Sequence, residues 1–462
     1  MGIEHKPQYF CMAPWIHAFH HSDYQRTACC TTVNMVKRPK DVIDQTKFIS
    51  HNEFKNSELM RNIRLTMLRG EMPADCANCY HNTNNLNDSY VHWFNKTYGN
   101  LYDQVMSQTN FLTGEITCDP VSFDYRIGNS CNSKCKHCMS TNSSLIEFDE
   151  KQLSQKYQNH QWIKYINTYK SPPSDIREAQ HAVLRDELLN AVRERRLKDI
   201  RWLGGESLFS PLHWEVMKEL SESDDINNVS VLYITNLSIM SYKGIKLIDI
   251  INKDFQSVLF HCSTEGGGDT YNYVRNGLDW NNFKNNFELI ASKANKQLNK
   301  WKGIKLAFTI NNLSLIDLDE YFSFMLNMKE TYPNTTYDPH FERVYSNGDY
   351  DDRFIMFLHP MFLGPFKQSW LERFRAILSR YMYRFSVSTE NAVNEIDGIL
   401  KVIEQESSID FDNISDFDRD TYRRIFQLGT DLEAMDKTYI LDLVQKDPLM
   451  LEWYNWLSSN LR

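Results

Sequence analysis

Three cysteines, Cys131, Cys135 and Cys138, follow directly on an apolar-alternating run at residues 121–127. Thiolate is the soft donor that iron–sulfur clusters select, and three thiolates in CxxxCxxC order on a loop after a strand can bind three irons of a 4Fe-4S cluster. The fourth iron then has no protein ligand, and an open metal position is where a substrate binds, whereas a closed site is structural. A zinc-binding loop is the alternative explanation of this spacing.

A second set of cysteines lies within the first eighty residues: Cys11, the double Cys29-Cys30, and a CxxC pair formed by Cys76 and Cys79. A CxxC knuckle plus two thiols from a hairpin provide four ligands, which can close a tetrahedral zinc site or hold a whole iron–sulfur cluster. Spacing alone does not separate these metals. Between hairpin and knuckle, residues 57–69 have helical periodicity, and Gly70 is the expected stop.

Composition indicates a globular, multi-domain chain. Its 462 residues are 42% hydrophobic and 13% aromatic, enough for a large core and two or three domains. The net charge of -9 excludes a broad footprint for nucleic acid. No stretch approaches the roughly 18–20 apolar residues of a membrane span, and the first residues lack the features of a signal peptide or a myristoylation site. Ten clustered cysteines fit metal ligation in a reducing compartment, so we expect a cytoplasmic protein.

The elements that must position these residues lie between residues 121 and 344, where short apolar runs alternate with helical periodicity. Apolar runs without alternation are typical of a parallel sheet buried on both faces, and repeated strand–helix alternation favours a βα barrel, whole or partial. The expected strands are 121–127, 200–203, 229–234, 257–261, 304–310 and 341–344, and the expected helices are 176–197, 211–220, 242–251, 281–298 and 315–328.

Parallel barrels carry their chemistry at the carboxyl ends of the strands. Gly204-Gly205-Glu206 follows the second expected strand; the glycines allow a backbone to approach a ligand, and the carboxylate can accept from an ammonium group. Thr235 and Asn236 end the third strand and Ser263 ends the fourth, with groups suited to ribose and carboxylate contacts. Ordinary strand capping is the alternative for these three.

The CxxxCxxC loop and the GGE motif one strand later, in this order, resemble the radical SAM superfamily. The resemblance implies an α/β fold with a partial (β/α)6 TIM-like barrel, in which Cys131, Cys135 and Cys138 hold the catalytic 4Fe-4S cluster. It implies that residues 204–206 hold the amino group of S-adenosylmethionine.

Further cofactor contacts follow from the same resemblance. His137 stands where the family often has an aromatic residue flanking the adenine, and Arg275, in a stretch at 271–277, would meet the S-adenosylmethionine carboxylate. The fifth strand lacks the family's glycines, which leaves Phe308 and Asn311 as candidate adenine contacts.

The N-terminal cysteines are similar to the SPASM module and its shorter form, twitch, which bind auxiliary clusters in many radical SAM enzymes. The matching residues are Cys11 with Pro14-Trp15, Cys29-Cys30, and Gly70-Glu71-Met72-Pro73 ahead of Cys76 and Cys79. Tyr24 stands where the family has a glycine, which favours Cys29 over Cys30 as ligand. The resemblance implies one auxiliary 4Fe-4S cluster bound by Cys11, Cys29, Cys76 and Cys79; a structural zinc site is the alternative.

These patterns predict three domains: 1–115 for the auxiliary cluster, 116–345 for the barrel, and a helical C-terminal extension at 346–462. Residues 82–117, rich in Asn, Thr and Tyr and without a strong period, are expected to form an irregular connection to the second domain. The extension has helical periods at 370–384, 391–404, 418–435 and 449–457, and we expect a structural cap, with closure of the substrate opening or partner docking as alternatives. Cys118 and Cys262 are expected to be packed thiols; the alternatives are a metal ligand and a hydrogen-atom donor, respectively.

The resemblance implies reductive cleavage of S-adenosylmethionine to a 5'-deoxyadenosyl radical, followed by hydrogen abstraction from a peptide or protein substrate. A reductase such as flavodoxin or ferredoxin would donate the electron. One alternative is radical oxidation or rearrangement of a small molecule, such as a sugar alcohol or nucleoside. The other is a non-enzymatic, Cys-rich, zinc-binding interaction protein, which would be colourless rather than brown.

Overall fold

A computed structural model describes residues 6–22, 25–32, 50–81, 89–156, 171–296, 301–335, 337–343, 354–382 and 390–461. The chain divides into two compact units. The first comprises residues 1–128, 171–232 and 253–256, and the second comprises 129–170, 233–252 and 257–462. No helix among the described residues is both long and apolar enough to cross a membrane.

The described elements alternate between strand and helix through the middle of the chain. The strands are β1 (His17–His20), β2 (Arg26–Thr27), β3 (Ser122–Tyr125), β4 (Asp199–Trp202), β5 (Ser230–Thr235), β6 (Ser241–Tyr242), β7 (Ile245–Lys246), β8 (Ser257–Thr264), β9 (Trp301–Ile310) and β10 (Tyr337–Arg343). The α-helices are α1 (Ala13–Ile16), α2 (His51–Phe54), α3 (Glu58–Leu68), α4 (Asn78–His81), α5 (Tyr90–Tyr98), α6 (Tyr102–Ser107), α7 (Ser144–Lys156), α8 (Ser174–Arg193), α9 (Pro211–Ser221), α10 (Leu247–Ile251), α11 (Gly268–Val274), α12 (Trp280–Ala294), α13 (Leu318–Thr331), α14 (Ile355–Leu358), α15 (Lys367–Met382), α16 (Glu390–Gln405), α17 (Asp416–Asp436), α18 (Ile440–Val444) and α19 (Pro448–Leu461). Short 3-10 segments lie at Ala74–Cys76, Gly99–Leu101, Ser207–Phe209, Ile226–Asn228, Asn312–Leu315 and Pro360–Phe366.

In the first unit, β1 pairs antiparallel with β2 and parallel with β3, and β3 pairs parallel with β4. Side chains alternate between the two faces of a strand, so Phe123 and its neighbour Ile200 share one face while Asp124 and its neighbour Arg201 share the other. All four are buried. The pairing therefore places charged groups on one face of these strands and apolar groups on the opposite face.

The N-terminal helices pack around an apolar cluster that includes Trp15, Met60, Met67 and Phe94. Arg64, on α3, is fully buried in the same unit. Its guanidinium donates to the carbonyl oxygens of Gly114 (2.8 Å), Pro14 (2.9 Å) and Lys55. One buried side chain thus ties together three segments of the first unit.

In the second unit, β9 pairs parallel with β8 and with β10. Burial alternates along β8: Val258, Phe260, Cys262 and Thr264 are buried, while the residues between them are half-buried. This alternation places Cys262 on the fully buried face, as expected for a packed thiol. Ser263 lies on the opposite, half-buried face.

The expectation of an α/β chain with mostly parallel strand pairing is confirmed. The six expected strands coincide with β3, β4, β5, β8, β9 and β10, and the described residues after 346 contain the helices α14 to α19. β2 and β10 each have one neighbour among the described strands, which therefore form no closed barrel. Expectations that fell on Tyr24, 82–88, 297–298, Val344 and 383–384 lie outside the described residues.

Two local expectations are wrong. The segment expected to be one helix at 242–251 begins instead as the β6–β7 hairpin, because Lys243 and Gly244 in its turn adopt positive φ angles (45° and 83°) that no helix accommodates. The stretch at 89–107, expected to be an irregular connection, contains α5 and α6. Ser89 caps α5 by accepting from the His92 N–H.

Candidate functional site

The cysteine loop, residues 129–143, brings two of its three sulfurs to one hydroxyl group. The Ser133 Oγ lies 3.3 Å from Cys131 Sγ and 3.4 Å from Cys135 Sγ. Cys131, Ser133 and Cys135 are buried, whereas Cys138 is half-buried. The loop therefore places two thiols close together on its inner side and the third on its more open side.

Neighbouring backbone holds this loop in place. The N–H groups of Lys134 and Lys136 donate to the carbonyl oxygens of Asn276 and Val274, both at 2.8 Å. Gly277, directly after this segment, has a φ of +96°, and a Cβ there would lie 3.3 Å from the Asn132 carbonyl oxygen. The end of α11 and the turn after it thus form a close-fitting backbone support for the loop.

Asn236 and Thr235, predicted to contact the cofactor, hold the loop and its neighbouring turn. Asn236 Nδ2 donates to Asn132 Oδ1 (3.1 Å), and Asn132 Nδ2 donates to Ser238 Oγ (2.9 Å). Thr235 Oγ1 accepts from the Leu237 N–H at 2.9 Å. Thr235 thus caps the turn after β5, and Asn236 orients the cysteine loop.

A buried ion pair lies beside Cys135. Arg275 donates to both carboxylate oxygens of Glu265, at 2.5 and 2.7 Å, and its Nη1 is 3.9 Å from Cys135 Sγ. Burial raises the pKa of the Cys135 thiol, and the Arg275 guanidinium opposes that rise. Arg275, the predicted carboxylate-binding residue, thus lies next to the cysteine loop, and its guanidinium forms a bidentate ion pair with Glu265.

His137 lies near the same carboxylate, with Nε2 3.5 Å from Glu265 Oε1. Loss of hydration lowers the pKa of its imidazole. Its Nδ1 is buried and has no hydrogen-bond partner among the described residues. A buried ring nitrogen without a partner, on a residue between two candidate cluster ligands, fits a site that is completed by a bound group.

The GGE segment, in the first unit, has a backbone that requires glycine. Gly204 and Gly205 have φ angles of +86° and +24°, and a Cβ on Gly204 would lie 2.6 Å from the Arg126 Cβ. Glu206 is buried, and its Oε1 accepts from the Leu208 N–H at 3.1 Å. Backbone conformation therefore accounts for both glycines, and the carboxylate caps the following turn.

Four N-terminal cysteines lie together in the first unit. Thr31 Oγ1 is 3.2 Å from Cys29 Sγ and 3.3 Å from Cys79 Sγ. Burial raises the pKa of the Cys11 thiol well above its ordinary value, the Ala13 N–H opposes the rise, and Cys29, Cys76 and Cys79 add to it. Their donor chemistry fits either a 4Fe-4S cluster or a tetrahedral zinc ion.

Cys30 has different neighbours from Cys29. Burial raises the pKa of its thiol to about 12, Cys29 and Asp124 add to the rise, and a hydrogen bond with Tyr90 opposes it. The Cys76 thiol, by contrast, interacts with Cys29 and Cys79. Cys29 thus shares its surroundings with Cys76 and Cys79, and its assignment as the ligand stays a prediction.

The remaining thiols are packed. Cys118 is buried in the N-terminal apolar cluster, and its Sγ donates to the Trp15 carbonyl oxygen at 3.4 Å. Across the part of the chain that the structure describes, no three His, Cys, Asp or Glu side chains are already grouped as a metal site. The cysteine sets are thus close together without having metal-ligand geometry.

Sequence reasoning missed the two hydroxyls, Ser133 and Thr31, that each contact a pair of sulfurs. Each lies two residues from a cysteine, and that spacing is the signal that could have identified them. It also missed the role of Glu265 as the partner of Arg275.

Comparison with known proteins adds no functional assignment. No protein-family model matches the chain, and no curated protein matches its sequence. The function must therefore be inferred from the residues and the geometry of these two cysteine sites.

Proposed function

We propose that this protein is a radical SAM enzyme with an N-terminal auxiliary 4Fe-4S module of the twitch/SPASM type, and that its parallel strands belong to a partial (β/α)6 barrel. The observation that carries the proposal is the CxxxCxxC loop in which Cys131 and Cys135 share the Ser133 hydroxyl. Cys131, Cys135 and Cys138 would hold the catalytic cluster, which leaves one iron open for S-adenosylmethionine.

A cluster held by Cys131, Cys135 and Cys138 would supply one electron for cleavage of S-adenosylmethionine to methionine and a 5'-deoxyadenosyl radical, which would abstract a hydrogen atom from the substrate. The chain's own residues bind and orient. Gly204, Gly205 and Glu206 would receive the methionine amino group, and Arg275 keeps a positive charge beside Cys135, which favours the thiolate that metals require.

The remaining candidates for contacts to the cofactor are His137, Thr235, Asn236 and Ser263. Ser263 supports this role by lying on the half-buried face of β8, where a ligand could reach its hydroxyl group. Asn236 acts through its hydrogen bond to Asn132, which holds the cysteine loop in position.

The proposed substrate is a peptide or protein, acted on in the cytoplasm with flavodoxin or ferredoxin as electron donor. The support is the set of four N-terminal thiols, Cys11, Cys29, Cys76 and Cys79, since auxiliary modules of this kind commonly accompany peptide-modifying members. Radical chemistry on a small molecule is the second candidate. The same four thiols also favour a third candidate, a zinc-binding interaction protein.

Anaerobic reconstitution with iron and sulfide tests the proposal. We expect a brown protein with about eight irons per chain that releases 5'-deoxyadenosine from S-adenosylmethionine under a strong reductant. Replacing Cys131, Cys135 and Cys138 together by alanine should halve the iron and abolish the release, whereas the control Cys118→Ala should do neither. A colourless wild type that retains zinc, or continued cleavage by the triple variant, would contradict the proposal.

A further inference from the structure

We infer that the end of α17 and the turn after it, residues 433–438, form part of the cysteine-loop site and position the loop through Lys134 and Lys136. This inference rests on the proposed function, because it concerns binding of the cluster by Cys131, Cys135 and Cys138. It gives the C-terminal extension a role beyond that of a structural cap.

Lys136 is the most deeply buried contact, with 1% of its surface exposed. Its Nζ lies 4.3 Å from the ring centroid of Tyr273 and 4.2 Å from that of Phe354, and 3.3 Å from Thr438 Oγ1. An ammonium group removed from water is costly unless its surroundings compensate, and two ring faces plus a hydroxyl provide compensation. Lys136 directly follows Cys135 and precedes His137. Contacts that hold its side chain therefore also hold the loop backbone next to Cys135, a candidate cluster ligand.

Lys134 makes a second contact with the extension. Its Nζ lies 2.7 Å from Asp149 Oδ2 on α7 and 3.0 Å from Asp436 Oδ1 at the end of α17. Both carboxylates are almost fully buried, with 4% and 7% of their side chains exposed. Ion pairs on the surface contribute little, but a cation shared by two buried carboxylates is held more firmly.

The third contact acts through the backbone support of the loop. Tyr273 donates its hydroxyl to Glu433 Oε1 at 2.6 Å, and the same oxygen accepts from the Ile440 N–H at 2.7 Å. Tyr273 directly precedes Val274, whose carbonyl oxygen accepts from the Lys136 N–H. The extension therefore holds both the lysine side chains and the helix end on which their backbone rests.

The contacts from the extension add to hydrogen bonds that form within the loop itself. Its internal hydrogen bonds include Cys138 N–H to the Cys135 carbonyl oxygen (3.0 Å) and Ser143 Oγ to the Ser133 carbonyl oxygen (2.8 Å). Residues that orient metal ligands from behind typically affect metal affinity by about 10- to 100-fold. We therefore expect the extension to control how firmly the cluster is held.

The test compares Lys136→Met, Lys134→Met and Asp436→Asn in the reconstituted full-length chain. The control is Lys401→Met, which removes an exposed lysine from an i,i+4 pair with Asp397 on α16. The readouts are the rate at which a chelator removes iron under anaerobic conditions and the electron paramagnetic resonance signal of the reduced cluster. We expect Lys136→Met to lose one cluster about 10-fold faster than wild type, with an altered signal, and Lys136→Arg to recover much of the difference.

The outcomes separate the two claims. If the wild-type protein takes up no iron, the proposed function itself is contradicted. Normal iron uptake by wild type, with Lys136→Met and Asp436→Asn matching Lys401→Met in both readouts, overturns this inference alone. If Lys136→Met does not fold, Asp436→Asn decides the question, because it alters the contact from outside the loop and leaves every loop residue unchanged.

Discussion

The two cysteine sites are built in opposite ways. Cys131, Cys135 and Cys138 come from one octapeptide, whereas Cys11, Cys29, Cys76 and Cys79 come from three well-separated segments of the chain. Each site nevertheless has one hydroxyl, Ser133 or Thr31, that contacts two of its sulfurs.

The two sites depend to different degrees on local sequence and on tertiary structure. The loop site takes its three thiols from one short segment, and the cationic groups of Arg275, Lys134 and Lys136 lie in or beside that segment. The N-terminal site takes its thiols from segments that come together only when the first unit has folded. Burial raises the pKa values of the Cys11 and Cys76 thiols, and neighbouring thiols add to the rise. We therefore expect the loop site to depend on charge and the N-terminal site to depend on packing.

The largest effects are expected when one ligand is removed from each site. Cys135→Ser should abolish 5'-deoxyadenosine release and leave about four irons, while Cys76→Ser should also leave about four irons but retain release in the absence of substrate. Anaerobic iron analysis and product chromatography measure both. If Cys76→Ser also abolished the release, the two sites would not have separate roles.

Replacing Arg64 tests the dependence on packing. Arg64→Met leaves the carbonyl oxygens of Pro14, Gly114 and Lys55 without their donor, so we expect the free energy of unfolding to fall by about 3 kcal/mol. Iron should be lost from the N-terminal site first. Urea unfolding measures the change, and Arg61→Met, on the more exposed side of the same helix, is the control. Equal stabilities of the two variants would contradict the expectation.

Asp124 is expected to make stability depend on pH. It lies on the strand that precedes the cysteine loop, and it interacts with Cys30 of the N-terminal cysteine segment. Burial raises its pKa from 3.8 to about 6. Between these values the folded chain binds more protons than the unfolded chain, so this group's contribution to stability falls as pH rises through that window.

Asp124→Asn removes this titrating group. We therefore expect the free energy of unfolding of the variant to exceed that of wild type by about 1–3 kcal/mol at pH 7.5 and by less at pH 5. Urea unfolding of the apo protein at both values measures it. A larger stability difference at pH 5 than at pH 7.5 would show that pairing with Arg126, and not burial, dominates the pKa of Asp124.

The smallest effect is expected from Cys30. Cys30→Ser should retain the full iron content, with a change in stability of about 1 kcal/mol or less, while Cys29→Ser should lose the N-terminal metal. Iron analysis of both variants decides between the two neighbours. Retention of the metal by Cys29→Ser and its loss from Cys30→Ser would reverse the assignment.

The strands and most of the long helices could be predicted because their apolar periods are strong. α5 and α6 could not, since their stretch is rich in Asn, Thr and Tyr and their buried positions are few: Phe94, Tyr98 and Val105. The β6–β7 hairpin was hidden because Ile245 and Leu247 fit a helical period as well as a strand, and only Lys243-Gly244 marks the turn.

The candidate site was predictable where chemistry depends on local spacing and not where it depends on tertiary contacts. The cysteine loop and the glycines at 204 and 205 follow from spacing and backbone constraint. The Glu265–Arg275 ion pair and the Lys136–Tyr273–Phe354 contact are made by tertiary packing, so no local pattern indicates them.

The parallel pairing of β1 with β3 limits how the protein can be divided. A chain that began at residue 116 would lose β1 and leave the N–H and C=O groups along one side of β3 without partners. An uncovered edge of this kind is a template for intermolecular strand addition. The N-terminal cysteine segment is therefore not a detachable module, and its removal should leave a remaining chain that aggregates.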